Sequence, residues 1–275
     1  MTVEVLISTL NNFDIKNLLV KMNIKMDALI INQCDEEGSY EFLFNYNKIR
    51  VILCKERGLS KSRNLAIKNS RGKICVIADD DVIYDNDARE KIIRAYNNIN
   101  DADIIAFDVP SIDISRPTRS LKQGRVNFWY SMRISSFQIT FKRESIIEKG
   151  ILFNEIFGSG SLYPCGEENI FLAQALKKGL KIYYIKDKIA VVNHSESQWF
   201  DGYYNEKILK AKGACFYAMN PLLSNFLILQ FCVRKKNLFR RIGLLEAIKY
   251  MRKGLNEYKN LLKKINISLD EKKQS

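Results

Sequence analysis

The sequence predicts an α/β fold: a mostly parallel central sheet flanked by helices, followed by a helical C-terminal extension. Three observations carry this. Short apolar runs rich in β-branched residues alternate with segments of helical period over the first hundred residues. The run Lys73-Ile74-Cys75-Val76-Ile77-Ala78 ends abruptly in Asp79-Asp80-Asp81, as a buried strand does when its end meets a ligand site. From Asn205 onward the strand patterns stop and the chain reads as mostly helical.

Taken in order, Val3–Thr9 is a first strand and Asp14–Lys25 a helix with Ile15, Leu18, Leu19 and Met22 on one face. Ala28–Asn32 is a second strand, ending in the polar loop Gln33–Ser39, and Ile49–Cys54 is a third. Ser60 caps a helix over Lys61–Asn69, with Gly72 just past its end. The strand into the aspartates follows, then a helix over Asp87–Asn98 and a fifth strand over Ile104–Val109. Strands alternating with helices imply parallel pairing with both sheet faces covered. The second half is less regular. Ser111–Arg125 reads as a polar surface loop, Ser136–Phe141 as a strand, Arg143–Lys149 as a short helix and Gly158–Ser161 as a flexible stretch. A helix over Glu168–Lys178 and short strands over Lys181–Ile185 and Ala190–Asn193 complete the body. Residues 1–110, 111–204 and 205–275 form three successive units on this reading.

The chain has 275 residues, 47% of them hydrophobic, enough for a sizeable core. Its formal charge of +13 suggests an anionic partner. The charge is uneven: residues 201–275 hold 16 Lys+Arg against 6 Asp+Glu, leaving only +3 for the first 200. A basic tail on a nearly neutral body argues against a nucleic-acid binder, whose basic stripe should cross the fold. The six cysteines form no C-x-x-C pair and lie mostly in apolar runs, as reduced thiols of a cytoplasmic protein do. Glu4 interrupts the first apolar run and no basic segment precedes it, so no signal peptide is expected. The segment Pro221–Val233, followed by Arg234-Lys235-Lys236 and Arg240-Arg241, is too short to span a bilayer. It suits either an interfacial helix on an anionic membrane or a buried helix with a charged end.

Three adjacent carboxylates repel one another, and a hard divalent cation such as Mg²⁺ or Mn²⁺ relieves that conflict. A solvated acidic turn is the plainer alternative. No Rossmann glycine fingerprint follows the first strand and no Walker A sequence occurs. A bound nucleotide would therefore need a metal on the aspartates to hold its phosphates. Glu167 and Glu168 open a helix, where they either favour its positive end or do chemistry. The single histidine, His194, ends a strand and is either a structural residue or a metal ligand. Trp199, Phe200, Tyr203 and Tyr204 follow it; they either stack on a sugar or pack the C-terminal helices.

Taken together, the order of Val3–Asn11, Arg57-Gly58-Leu59-Ser60-Lys61-Ser62-Arg63-Asn64, Gly72–Asp81, Gly166-Glu167-Glu168 and His194 resembles the family 2 glycosyltransferases over residues 1–200. The resemblance implies the GT-A fold. It makes residues 1–110 the nucleotide-sugar-binding half, 111–204 the acceptor-binding half and 205–275 a basic extension. It implies a D-x-D pair, Asp79 and Asp81, on the donor ribose and a divalent metal, with Asp80 as the alternative contact. The family's Glu-Asp pair, source of the catalytic base, matches Glu167-Glu168, whose second carboxylate reaches one methylene further. The first-strand motif, usually P-T-x-N, matches Ser8-Thr9-Leu10-Asn11, bringing in Thr9 and Asn11. The second-strand motif that holds the base usually begins D-D-G-S. Here it reads Asn32-Gln33-Cys34-Asp35-Glu36-Glu37-Gly38-Ser39, which makes Asp35 the candidate, with Gln33 as alternative. Arg57, Lys61 and Arg63 become candidate phosphate contacts, and His194 a metal ligand.

The implied activity is metal-dependent, inverting transfer of a sugar, from a UDP-sugar, to a hydroxyl of a glycan or lipid-linked acceptor in bacterial polysaccharide synthesis. The implied location is cytoplasmic, with or without peripheral contact with the inner face of the membrane. Two rivals stand beside it. A pyrophosphorylase would need a glycine-rich, Arg/Lys-containing signature after the first strand, which is missing. A non-catalytic glycan- or membrane-binding relative would have no use for both the strand-end aspartates and Glu168.

Overall fold

The structure is a computed structural model that describes residues 1–113, 118, 120–193, 204–239 and 242–274, the helix beyond residue 265 without its side chains. Its centre is a nine-stranded sheet. In chain order the strands are β1 (Val3–Leu10), β2 (Asp27–Gln33), β3 (Gly38–Phe44), β4 (Asn47–Cys54), β5 (Ile74–Asp79), β7 (Ile104–Asp108), β8 (Gly124–Arg125), β9 (Ile139–Lys142) and β10 (Ile182–Lys188). A separate antiparallel pair joins β6 (Val82–Tyr84) to β11 (Ala190–Val192). The spatial order in the large sheet is β3-β4-β2-β1-β5-β9-β7-β10-β8. The β1–β2, β1–β5, β2–β4 and β7–β10 pairs are parallel, and β3, β9 and β8 pair antiparallel to their neighbours.

The parallel strands are nearly continuous apolar runs because both faces are covered. One face packs α1 (Ile15–Lys21) and α3 (Ala88–Asn98) around Val5, Ile7, Ile30, Val76, Ile92 and Phe107. The other packs α2 (Leu59–Asn69), α5 (Arg143–Glu148) and α6 (Glu167–Lys177) around Leu6, Ile31, Ile77, Phe141 and Phe171. A third cluster holds the C-terminal helices α7 (Glu206–Met219), α8 (Ser224–Arg234) and α9 (Leu244–Gln274) against the body through Phe157, Tyr163, Ile170, Cys215, Phe231 and Met251. The short α4 (Phe128–Ser131) lies beside α6.

Glu4, which breaks the first apolar run, is buried and fully engaged. One carboxylate oxygen accepts from Arg50 at 2.6 Å, and the other from the backbone N–H groups of Arg71 and Gly72 at 2.6 and 2.9 Å. It pins the turn between α2 and β5, one end of the aspartate strand.

Three sequence expectations differ from the fold. The polar loop after β2 is shorter than expected, because Gly38–Phe44 forms a further strand in a tight hairpin with β4. Asn45 and Tyr46 turn it with φ of 47° and 65°. The strand is exposed on much of its length, which hides its apolar signal. The expected surface loop Ser111–Arg125 also enters the body: Leu121 is buried and Gly124–Arg125 pairs with β10. The strand expected at Ser136 begins at Ile139, after a 3₁₀ turn over Ser136–Gln138.

Candidate active site

Parallel register sets the site. Ser8 on β1 lies opposite Asp79 on β5, and Gln33 on β2 lies opposite both Leu10 on β1 and Cys54 on β4. The C-terminal ends of four strands therefore meet at one edge, where open α/β sheets bind ligands. There the three aspartates divide: Asp79 ends β5, and Asp80 and Asp81 form the turn that leads into β6. Asp79 and Asp81 line a cavity of about 630 Å³, whereas Asp80 is exposed and accepts from Thr9 Oγ1 at 2.6 Å.

Arg63 lines the same cavity although only 1% exposed, with its guanidinium over the Phe153 ring. One amino group donates to both oxygens of Asp79, at 2.8 and 3.0 Å, and the other to Glu167 at 2.8 Å. Sequence reasoning expects this arginine on donor phosphates; in the fold both amino groups hold site carboxylates. Its motif neighbours act on the backbone. Ser60 donates to the Phe157 carbonyl at 2.6 Å, and Asn64 exchanges two hydrogen bonds with the backbone of Phe153. The Ser-x-x-Arg-Asn helix thus fastens the 153–157 loop and the strand-end acid to the start of α6.

Glu167 and Glu168 occupy the first turn of α6. Glu167 is buried on Arg63, and Glu168 lines the cavity, half-buried. Burial, then the Glu167 charge, pushes the Glu168 carboxyl up to about 7, with Lys212 and Arg63 acting the other way. The preceding Gly166 has φ +98°, and a Cβ there would stand 2.6 Å from Cys215 Sγ. Only glycine lets α7 approach the start of α6 this closely. That contact brings Lys212, one turn before Cys215 on α7, into the same cavity. Burial works against its charge, and the ionisable groups Cys165, Tyr204, Cys215 and Glu168 act the other way, for a net upward shift. Burial pushes both thiols up.

The remaining predicted residues cluster beside the cavity at the β1, β2 and β4 ends. Arg57 donates to Asp35 at 2.7 Å and to the Cys34 carbonyl at 2.8 Å, and Asp35 is almost wholly exposed. Gln33, the alternative to Asp35, accepts from the Gly58 backbone N–H at 2.7 Å and is buried. Lys61, near them, pairs with Glu56 at 2.8 Å. Asn11 has φ +49°, is exposed, and donates its backbone N–H to the Gln33 carbonyl. The Asn193 N–H donates to the Asp81 carbonyl at 2.9 Å, while His194 itself lies outside the described residues, as do Trp199, Phe200 and Tyr203. Of that aromatic set Tyr204 is described; it lines the cavity and its ring meets Phe231 and Phe239.

Sequence reasoning missed Lys212, Trp129, Arg133 and Ser136, all of which line the cavity. Their signal was faint: Lys212 is one lysine among many in a basic helix, and Arg133 sits in an irregular segment. A second groove, of about 690 Å³, runs between α7 and α9 past Tyr163, Lys210 and Glu257, and none of the strand-end acids reaches it.

The donor set fits a divalent cation. Asp79 and Asp81 offer hard carboxylate oxygens to one cavity, and among the described residues no group of three or more His, Cys, Asp or Glu side chains gathers into a self-sufficient cage. Magnesium is characteristically held by one or two carboxylates together with substrate phosphates. Arg63 already donates to both Asp79 oxygens.

Solved structures share this fold. One is the crystal structure of S. aureus TarS 1-349 in complex with UDP-GlcNAc, at 14% identity and TM-score 0.65, covering 94% of this chain and 80% of that one. Another is the mannosyltransferase PcManGT from Pyrobaculum calidifontis in complex with GDP-Man and Mn²⁺. It is 12% identical with TM-score 0.53, covering 97% of this chain and 79% of that one. A search of curated proteins finds no match to the sequence. The sequence pattern described as "Glycosyl transferase family 2" matches residues 15–158, more than half of the chain. Fold, strand-end acids and sequence pattern agree: this chain belongs to the family 2 glycosyltransferases.

Proposed function

We propose that the protein is a metal-dependent, inverting glycosyltransferase that moves a sugar from a UDP-sugar to a hydroxyl of a glycan or lipid-linked acceptor in bacterial polysaccharide synthesis. The observation that carries this reading is the meeting, in one cavity, of Asp79 and Asp81 with a Glu168 carboxyl pushed up to about 7. Such a group takes a proton from an attacking hydroxyl near neutral pH and is basic enough to hold it. A divalent cation, Mn²⁺ or Mg²⁺, supplies Lewis-acid neutralisation of the leaving diphosphate when bound, with Asp81 and Asp79 as its protein ligands.

The chain's own residues do the rest. Arg63 fixes Asp79 and Glu167 in place, which orients the strand end and α6 relative to each other. Thr9 holds Asp80 beside the cavity, as the alternative to Asp79 and Asp81 for contact with the donor ribose. Arg57 and Asp35 offer an exposed polar pair to the nucleotide base. Attack by a hydroxyl on the face opposite the leaving diphosphate inverts the anomeric centre, and the enclosing walls from α4, α6, α7 and α8 align the two substrates.

The C-terminal extension supports a peripheral position on the inner membrane face. Leu222 is 94% exposed, and Phe226, Leu229 and Val233, spaced as one helical stripe, are 53–56% exposed. Arg234, Lys235 and Lys236 follow directly. An apolar stripe with adjoining cations suits an anionic bilayer surface. No described helix is long and apolar enough to cross a membrane. The test of the whole reading is a panel of nucleotide sugars with Mn²⁺, followed by thermal shift and by release of nucleoside diphosphate. Stabilisation by one UDP-sugar and its slow hydrolysis are expected; indifference to every nucleotide would overturn it.

A further inference from the structure

The two edges of the nine-stranded sheet are finished differently. At one end β8 is two residues long, Gly124–Arg125, and carries an exposed arginine. Shortness and charge are how a sheet keeps a bare edge from pairing with another chain. At the other end β3 runs for seven residues in unbroken register with β4. It has no lysine, no proline and no bulge. Its one charge, Glu41, is already met by Arg71 of the same chain at 2.9 Å. Tyr40 is 45% exposed, Leu43 71%, and Tyr46 in the turn wholly so.

The hairpin fixes which backbone groups this edge offers. Its two-residue turn at Asn45-Tyr46 makes Phe44 and Asn47 a hydrogen-bonded pair. Alternation then makes Phe42 with Ile49 and Tyr40 with Val51 the next such pairs. The N–H and C=O groups of Ser39, Glu41 and Leu43 therefore point away from β4, and among the described residues no strand pairs with them. Another extended chain satisfies such a row. The side chains favour a second copy of this one. Antiparallel pairing about a two-fold axis through Phe42 bonds Glu41 to the partner's Leu43, and Leu43 to the partner's Glu41. On the face that meets α1, where Tyr40 already stacks on Phe42, Tyr40 then stands across from the partner's Phe44, and Phe42 from its counterpart. Each Glu41 faces a leucine. An axis through Glu41 instead would set two like charges directly opposite, which is unfavourable. The exposed Glu36 and Glu37, just before β3, pass the turn beside the partner's Lys48, so opposite charges flank the seam.

We propose that the protein forms a two-fold dimer in which the β3 edges of two copies pair antiparallel about Phe42, joining the two central sheets into one. No residue from 35 to 48 lines the strand-end cavity, so both cavities stay open in the dimer. The seam is one strand wide, and small interfaces of this kind are reversible.

The experiment is sedimentation velocity on the full chain over about 1–300 µM, a range suited to small reversible interfaces. Wild type is compared with Leu43→Pro, Leu43→Glu and Leu43→Lys. Residue 43 is mostly exposed and its N–H faces outward, where an edge strand tolerates proline. Circular dichroism checks that each variant is folded. Wild type is expected to pass from monomer to dimer. Leu43→Pro removes a hydrogen-bond donor from the seam, and Leu43→Glu faces the partner's Glu41. Each change occurs twice across the axis and should weaken the dimer by about tenfold or more. Leu43→Lys faces the same glutamate with opposite charge and should associate as wild type does or more tightly. Hydrogen exchange on wild type needs no variant: the Glu41 and Leu43 amides should slow at the concentrated end of the range. A wild type that stays monomeric throughout would overturn the proposal and leave the edge to a strand of another protein. So would a dimer that Leu43→Pro and Leu43→Glu leave intact, since its contact lies elsewhere. A lysine as damaging as the glutamate would overturn the pairing about Phe42.

Discussion

The guanidinium of Arg63 donates through one amino group to both carboxylate oxygens of Asp79, at 2.8 and 3.0 Å, from a position with almost no contact with solvent. Its other amino group reaches Glu167, so a single buried cation ties the end of β5 to the start of α6. Replacing it with methionine leaves two carboxylates uncompensated beside a third. We expect Arg63→Met to lower stability by about 3–5 kcal/mol, as removal of one partner from a buried pair does. Chemical denaturation reads that loss. Arg63→Lys should recover only part of it, because an ammonium cannot bridge both acids with fork geometry.

The pH dependence of catalysis should follow Glu168. As the base it must be ionised, and its carboxyl is pushed up to about 7. Turnover should therefore fall on the acid side with a midpoint near 7, in a pH–rate profile taken with saturating donor. Glu168→Gln should bind UDP with Mn²⁺ as wild type does and lose transfer. Full turnover in that variant would place the base elsewhere.

The same shift has a sign for stability. A carboxyl raised in the folded state binds its proton more tightly there than in the unfolded chain, so its contribution to stability is lost as pH rises from about 4.5 through about 7. Glu168→Gln should then be more stable than wild type at pH 8, by about 1–2 kcal/mol after allowing for partial solvent contact, and nearly equal to it at pH 4. Melting temperatures at the two pH values test this.

Metal dependence should reside in Asp81. Asp81→Asn should abolish the Mn²⁺-dependent part of UDP affinity, and chelation should reduce wild type to the same level. Calorimetry that gives equal UDP affinity for both proteins in Mn²⁺ would remove Asp81 from the ligand set.

Membrane contact is best tested with point changes in the α8 stripe. Phe226→Glu with Leu229→Glu should cut sedimentation with anionic liposomes several-fold, with the folded state retained because both side chains are more than half exposed. Equal sedimentation of both proteins would place the contact elsewhere.

Much of this fold was legible because its strands are short, apolar and separated by capped helices, so period and punctuation agree. Glycine at 72 and the aspartates at 79–81 bracket β5 in the sequence as they do in space. The exposed strand Gly38–Phe44 was not legible, since its apolar signal is diluted on a solvent-facing edge. The residue types of the site were legible from the acids and their spacing. The partnership of Arg63 was not: nothing local ties residue 63 to residues 79 and 167, and only the folded sheet brings them together. Lys212 was hidden for a different reason. Its meaning depends on Gly166 and Cys215 meeting across two helices, a contact with no trace in either segment alone.

The tight seat of α7 against the start of α6 also limits how this enzyme can be recombined. On its other side α7 is locked to α9, where a Cβ at Gly213 would fall 1.8 Å from the Met251 carbonyl oxygen and one at Gly254 2.1 Å from that of Lys210. The last helices therefore form one wall of the reaction chamber and share a core with the 157–170 segment, rather than hanging from the body as a detachable address tag. A chimera that exchanged residues 205–275 for the tail of a relative would inherit a foreign wall beside its own base. Acceptor choice should travel with the tail in such hybrids, and the graft should fold only when its own counterparts of Gly166 and Cys215 travel together.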